Sequence, residues 1–174
     1  MNSFYEMLLK RRTIRSFQPR AIPDETMDQI LLAGRYAPSG MGLQNRHFTV
    51  VQDPGLMKEI VAATEKAGGK FVPGHTPFYG APDVVVLSAP KDFKLNREDA
   101  ACAAENLLLA AYAFGIGSCY ICSVVPGLRD ESILKRLNLP RNYIPFGCVA
   151  LGFPAQGAPG PKARRTDDVT WIRA

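Results

Sequence analysis

No charged side chain occurs between Glu105 and Arg129. A stretch that long could in principle span a bilayer, so its placement constrains everything else. Gly115, Gly117, Ser118 and Pro126 break it into two shorter pieces. The Ala- and Leu-rich part predicts a helix over 98–114 that ends at Gly115, and the part after it predicts a strand over 119–125. A helix and a strand this apolar must both be buried, which favours an interior over a membrane. A chain of 174 residues can supply that interior within one domain. With 47% hydrophobic and 21% charged residues, its composition is that of a folded chain.

The remaining elements surround that buried pair. Residues 4–12 predict a short amphipathic helix with Phe4, Met7 and Leu8 on one face. A second helix starts at Pro23, with Asp24 and Glu25 at its positive dipole end and Met27, Ile30, Leu31 and Gly34 facing inward. The loop "APSGMGLQNR" leads into a strand over 47–52, and a helix over 56–67 stops at Gly68–Gly69. Residues 68–82, rich in Gly, Pro and aromatics, predict an irregular surface loop. Val84–Ser88 is a β-branched run of the kind buried on both faces. A helix over 131–137, a strand over 146–151 and a Gly/Pro-rich, then basic, tail complete the chain. Interleaved helices and strands without a linker or repeat predict one α+β or α/β domain over 1–174.

Several catalytic signatures fail. "GIGSCY" has Tyr120 where a dinucleotide fingerprint needs its third Gly, and it leads into a strand. "GGK" at 68–70 continues into Phe71 and is no phosphate-binding P-loop. His47 and His75, the only histidines, lack ligand spacing, so no metal site is expected. Cys119 and Cys122 form C-x-x-C, but both fall in the predicted strand rather than at a helix N-terminus, which favours packing over redox chemistry. Cys102 and Cys148 also sit in or beside apolar runs, so all four thiols are expected to behave as small core residues. Glu6 and the cations from Lys10 interrupt the opening apolar residues, so no secretory signal is expected and a reducing cytoplasmic setting is the default.

The cations remain. "KRRTIRSF" at 10–17 crowds Lys10, Arg11, Arg12 and Arg15 together, and Lys162, Arg164 and Arg165 form a second group. Net charge is +5 and the pI about 9.1, so an anionic partner is plausible. A nucleic-acid backbone, a membrane surface or a single phosphate would each suit this charge, and an ordinary solvated face would also account for it. Aromatics are not interleaved with the cations as a base-stacking platform requires. If the two groups meet, each charged hydrogen bond to a phosphate contributes on the order of 1.5–3 kcal/mol.

"RRTIRSF", "YAPSGMGLQNRHFTVV", "AAENLLLAAYAFGIGSCYI", "LPRNYIPFGCVALGFP" and the tail "KARR" then "DDVTWI" occur in this order along the chain. Together they resemble the nitroreductase family of flavoenzymes. The resemblance implies an α+β, three-layer fold with a mostly antiparallel central sheet flanked by helices, working as an intertwined homodimer with FMN at the subunit interface. It implies an FMN-dependent oxidoreductase, with NADH or NADPH as donor and a nitroaromatic, quinone or similar small molecule as acceptor, in two-electron ping-pong transfer. Arg11, Arg12, Thr13 and Arg15 match the family's FMN-holding positions, and Lys162 and Arg164, with Arg165 beside them, match its second phosphate-binding pair. Pro38, Ser39, Gly40 and Gln44 match the loop that the partner subunit lays against the flavin, and Tyr120, Ile121 and Cys122 the segment near its reactive edge. Arg15 is the expected catalytic residue, stabilising negative charge on the reduced ring. No nucleic acid or membrane is expected as a partner.

The departures are specific. Gly42 stands where the family often has Asn, and Asn45-Arg46 where it has Pro-Trp. The loop over 68–82 offers only Lys70, His75 and Thr76 toward the flavin pyrimidine. The short stretch between Ser88 and Asp99 leaves either an open cleft, or a lid made by Phe71, Phe78 and Tyr79, unless those aromatics pack over the core. The rival readings are a basic nucleic-acid-binding protein and a flavin carrier or sensor without turnover.

Overall fold

A computed structural model describes residues 3–174. Helix α1 (Ser3–Lys10) is followed by α2 (Asp24–Arg35), β1 (His47–Val51), α3 (Pro54–Lys66), β2 (Asp83–Pro90) and α4 (Asn96–Ala113). Then come β3 (Gly117–Ile121), α5 (Val125–Leu128), α6 (Glu131–Leu137) and β4 (Tyr143–Gly152). The strands form one antiparallel sheet in the order β1-β2-β4-β3.

Alternation along the strands divides the core in two. Val84, Val86, Cys148 and Ala150 face a cluster with Leu56 and Ile60 of α3, Leu128 of α5 and Ile133 of α6. Val85, Leu87, Val149 and Leu151 face Met27 and Ile30 of α2 and Ala103, Leu107 and Ala111 of α4. The result is a three-layer α+β fold. β2 is covered on both faces, as its unbroken β-branched run predicts, because helices pack on either side. Among the described residues no helix is long and apolar enough to cross a membrane. The uncharged stretch is instead the inner part of α4 and the strand that follows it.

Two expectations need correction, and two are made more definite. The strand predicted over 119–125 ends at Ile121, whose pairing with Cys148 is the last rung, and Val125–Leu128 form a helical turn. Pro126 has no N–H to extend a ladder, and Gly127 brings the turn against α3, where its N–H donates to Thr64 Oγ1 at 3.2 Å. The four cysteines divide: Cys119 and Cys148 are buried, whereas Cys102 and Cys122 are exposed. On the apolar face expected for α1, Leu8 is exposed and Met7 half-buried, and Tyr5 and Leu9 beside it are exposed as well. Finally, the loop over 68–82 runs on the surface but plants Phe78 in the core, with Phe71 and Tyr79 packed against it.

Candidate functional site

After α1 the chain runs along the free edge of β3. Ile14 N donates to Ser118 O at 2.9 Å, Thr13 bridges Ser118 in parallel, and Phe17 bridges Pro154. Ile14 and Phe17 enter the core, which turns Arg15 outward into solvent. The Arg15 guanidinium lies 5.8 Å from the centre of the Tyr79 ring, a cation–π contact that gives it a fixed place. Arg11 is half-buried, 4.0 Å from Glu105, and its Nη1 is buried without a hydrogen-bond partner among the described residues. Arg12 is used locally: its Nη1 donates to the carbonyls of Leu9 at 2.6 Å and Arg11 at 2.7 Å, at the negative end of α1.

The tail returns to the same place. Ala155 N donates to Ser16 O at 3.0 Å, and Gln156, Gly157 and Pro159 join Thr13, Ile14, Arg15 and Ser16 around a cavity of 360 Å³. The tail's cations lie further on and are exposed: Arg165 pairs with Asp167 at 3.0 Å, and Arg164 donates to the Lys162 carbonyl at 3.2 Å. No hydrogen bond or ion pair among the described residues joins Lys162, Arg164 or Arg165 to Arg11, Arg12 or Arg15.

At the end of β3, Ile121 is buried while Tyr120 and Cys122 reach the surface. The Tyr120 ring lies across Gly147, where a methyl group would come within 2.8 Å of a ring carbon. Burial and then a hydrogen bond with Cys122 push the Tyr120 phenol well above its usual range. Burial also raises the Cys119 thiol, while the nearby charges of Arg15 and Arg11 pull it partly back. Cys148 is pushed up first by burial and then by its neighbours Cys122 and Cys119. A C-x-x-C whose first thiol is buried and hard to ionise is a poor redox pair.

The loop of Pro38, Ser39, Gly40 and Gln44 lies elsewhere. It joins the C-terminal end of α2 to β1 and lines a 660 Å³ cavity with Leu32, Arg35 and Tyr36. That cavity and the one beside Arg15 share no residue. One chain therefore keeps the loop 38–44 apart from the Arg15 segment, and the tail cations make only local contacts. A further cavity, of 740 Å³, belongs to neither: it lies between α3 and the loop through Phe78, with Lys58 as the only lysine or arginine in its lining. It is mainly apolar and has no arginine in its lining to present a guanidinium fork to a phosphate.

Two residues beside the loop were not identified from sequence. Arg46, noted only as a departure, is buried and donates to three backbone carbonyls. Asp99, in the first turn of α4, is buried and accepts from Gly40 N at 2.8 Å. A buried charge and a solvated one look alike in a sequence, and the one available cue was an Arg where the family pattern has Trp.

Residues 8–153 match the Nitroreductase family. The fold superposes on a nitroreductase with bound FMN from Bacteroides fragilis with a TM-score of 0.89, at 32% identity, over 99% of this chain and 100% of that one. A protein of Archaeoglobus fulgidus with the provisional name NADH dehydrogenase/NAD(P)H nitroreductase is 32% identical over 88% of this chain and 87% of its own length. An iodotyrosine deiodinase from Haliscomenobacter hydrossis is 30% identical over 94% of this chain and 85% of its own. By sequence and by fold, the chain belongs to the nitroreductase family.

Proposed function

We propose that this protein is an FMN-dependent NAD(P)H oxidoreductase that reduces small electrophilic acceptors, such as nitroaromatics or quinones, in ping-pong fashion as a homodimer. The observation that carries the reading is the edge segment 11–15, which combines a buried, unpartnered Arg11 Nη1 with an exposed Arg15 held by Tyr79. A buried guanidinium nitrogen with no hydrogen-bond partner among the described residues, four residues from Arg15, fits a phosphate, since a buried donor left unpaired costs about 1–3 kcal/mol. Bound FMN would supply hydride transfer between nicotinamide and acceptor.

The chain's own residues do the rest. Arg11 neutralises the phosphate, with Lys162 and Arg164 brought up by the tail and Arg165 beside them. Thr13 offers a hydroxyl on the same outward row. Arg15 presents a fixed positive charge to the ring and stabilises negative charge there without reorganisation. Cys122 follows the last rung of β3, and its backbone N–H, or that of Ile121, would hold the ring of a bound flavin near Tyr120. Arg12 holds the end of α1 with its Nη1 and joins the FMN-binding residues with the rest of its guanidinium.

A second copy completes the site. Pro38, Ser39, Gly40 and Gln44 come from the partner, which is why one chain leaves them apart from Arg15. The apolar surface supports the same reading: Tyr5, Leu8 and Leu9 on α1, and Trp171 and Ile172 on the tail, are exposed, the last two at 74% and 95%.

The test is the visible spectrum of the purified protein, its bleaching by NADH or NADPH without oxygen, and its mass in solution. A yellow dimer that bleaches and regains colour with a quinone or nitroaromatic is the expected result. A yellow protein that no nicotinamide bleaches is a carrier or takes electrons from another donor, which removes NAD(P)H from the reading, and a protein that stays colourless after reconstitution with FMN overturns the reading.

A further inference from the structure

The loop 38–44 has little to hold its shape by itself. Met41 and Gln44 sit at φ +54° and +52°, a left-handed conformation unfavourable for side-chain-bearing residues, and Gly42 adds a third positive φ. Its internal support is modest: Gln44 N donates to Ser39 Oγ at 3.0 Å, and Gly42 N to Ser39 O at 3.0 Å. Two buried charges flank it instead. Arg46, 9% exposed, donates to Pro38 O and Arg35 O, each at 2.9 Å, and to Ala37 O. Asp99, 4% exposed, accepts from Gly40 N at 2.8 Å. Leu95 and Phe93 close over Gly40 so tightly that a methyl group there would meet them at 2.7 and 3.0 Å.

Neither charge has an ionic partner among the described residues, and Arg46 Nε and Asp99 Oδ2 are buried without any partner. An unpaired buried charge is expensive unless something compensates it. Here Arg35 O at the C-terminal end of α2, with the loop carbonyls of Ala37 and Pro38, accepts from the guanidinium, and Asp99 stands in the first turn of α4, so each charge lies at the complementary dipole end of a helix. Both charges are spent on backbone groups of one loop.

The geometry points to Arg46 and Asp99 as positioning residues that hold loop 38–44 in the shape that meets the flavin ring. The inference rests on the flavin reading above. It divides flavin binding into two separable parts: Arg11 and the tail cations hold the phosphate, whereas the clamped loop holds the ring. Riboflavin, which has the ring without the phosphate, tells these parts apart.

The experiment titrates flavin-free protein with FMN and with riboflavin, following quenching of flavin fluorescence, in the unaltered protein and in Asp99→Ala, Asp99→Asn and Arg11→Ala. Loss of a charged hydrogen bond predicts that Asp99→Ala weakens both ligands by the same factor, about tenfold. Asp99→Asn, whose amide oxygen still accepts from Gly40 N, stays within about threefold. Arg11→Ala weakens FMN alone. Amide exchange at 40–43 in the flavin-free protein accelerates in Asp99→Ala.

Unchanged affinity for both ligands in Asp99→Ala, or loss confined to FMN, overturns the clamp while leaving the flavin reading intact. If the unaltered protein binds neither flavin, the flavin reading fails first. Should Asp99→Ala not fold, Arg46→Lys takes its place, because it keeps the charge but loses the planar fork over the carbonyls. It must then show the same equal weakening of both ligands, and affinity equal to that of the unaltered protein overturns the clamp.

Discussion

Gly117→Ala is the sharpest probe of how the fold aims Arg15. A methyl group at 117 would lie 3.0 Å from Cβ, Cγ1 and Cγ2 of Ile14 alike. Carbon atoms pack best at about 3.5–4.0 Å, so Ile14 must retreat by a few tenths of an ångström. It cannot do so by rotating, because the Cβ contact is independent of χ1 and a β-branched side chain has few rotamers to spare. The backbone of 13–15 therefore moves, straining the 2.9 Å bond from Ile14 N to Ser118 O. Overpacking of this kind costs about 1–3 kcal/mol. For a chain of this size that corresponds to a fall in Tm of about 2–12 °C. Thermal unfolding by circular dichroism measures the first effect, and a flavin titration measures the displacement of Arg15. Ile14→Ala removes two of the three contacts, so a double-mutant cycle should show a favourable coupling of about 0.5 kcal/mol or more. A Gly117→Ala protein that melts with the unaltered one and binds flavin equally well refutes the reasoning.

Other perturbations read other parts of the molecule. Arg15→Ala should lower the reduction potential of bound flavin and slow its reduction more than it weakens binding; an unchanged potential removes Arg15 from that role. Arg11→Ala combined with Lys162→Ala should release FMN on dialysis, and full occupancy in the double variant counts against both as phosphate ligands. Backbone N–H groups of Gly55 and Leu56 hold the Asp53 carboxyl below its ordinary 3.8, as the hydroxyl and N–H of Ser132 do for Asp130. Folded values below unfolded ones mean that this stability is complete above 3.8 and is lost as the pH falls through the lower folded values. The difference in Tm between the unaltered protein and Asp53→Ala should accordingly be present at pH 7 and shrink below pH 3.8. Maleimide should label Cys102 and Cys122 in the native protein, and Cys119 and Cys148 only after unfolding.

What could be read from sequence was what has a period. The helices at 24–35, 54–66 and 131–137 and the buried strand β2 announce themselves by spacing and by their end signals. α5 does not, because Val124 and Val125 favour strand and the turn exists only where Gly127 lets it touch α3. Cys102 was misplaced for a related reason: α4 is so rich in Ala that its outer face looks much like its inner one. Of the site, the cations and the loop motif were legible as residue types. Which cations meet was not, since that depends on where the tail runs after Pro159. The clamp was illegible altogether, because the compensation for Arg46 and Asp99 comes from helix ends that a sequence does not bring together.

The segment 13–17 ties these levels together. β3 is an edge strand, and an open edge invites pairing with other chains. Here the start of that edge is covered by the chain's own return, through the Ile14–Ser118 bond, and the Phe17–Pro154 bridge ties the same segment to the chain just past β4. The register of that cover is fixed by burial, since a slip of one residue would place Arg15 in the core where Ile14 now lies. Transfer of an unpaired guanidinium into that apolar cluster would cost several kcal/mol, so the alternative register is strongly disfavoured. The hydrophobic pattern that protects the sheet edge is thus also what turns Arg15 toward Tyr79 and the cleft. A stability variant at Gly117 and a functional variant at Arg15 test the same few residues, which is why the Gly117→Ala experiment must read flavin affinity as well as Tm.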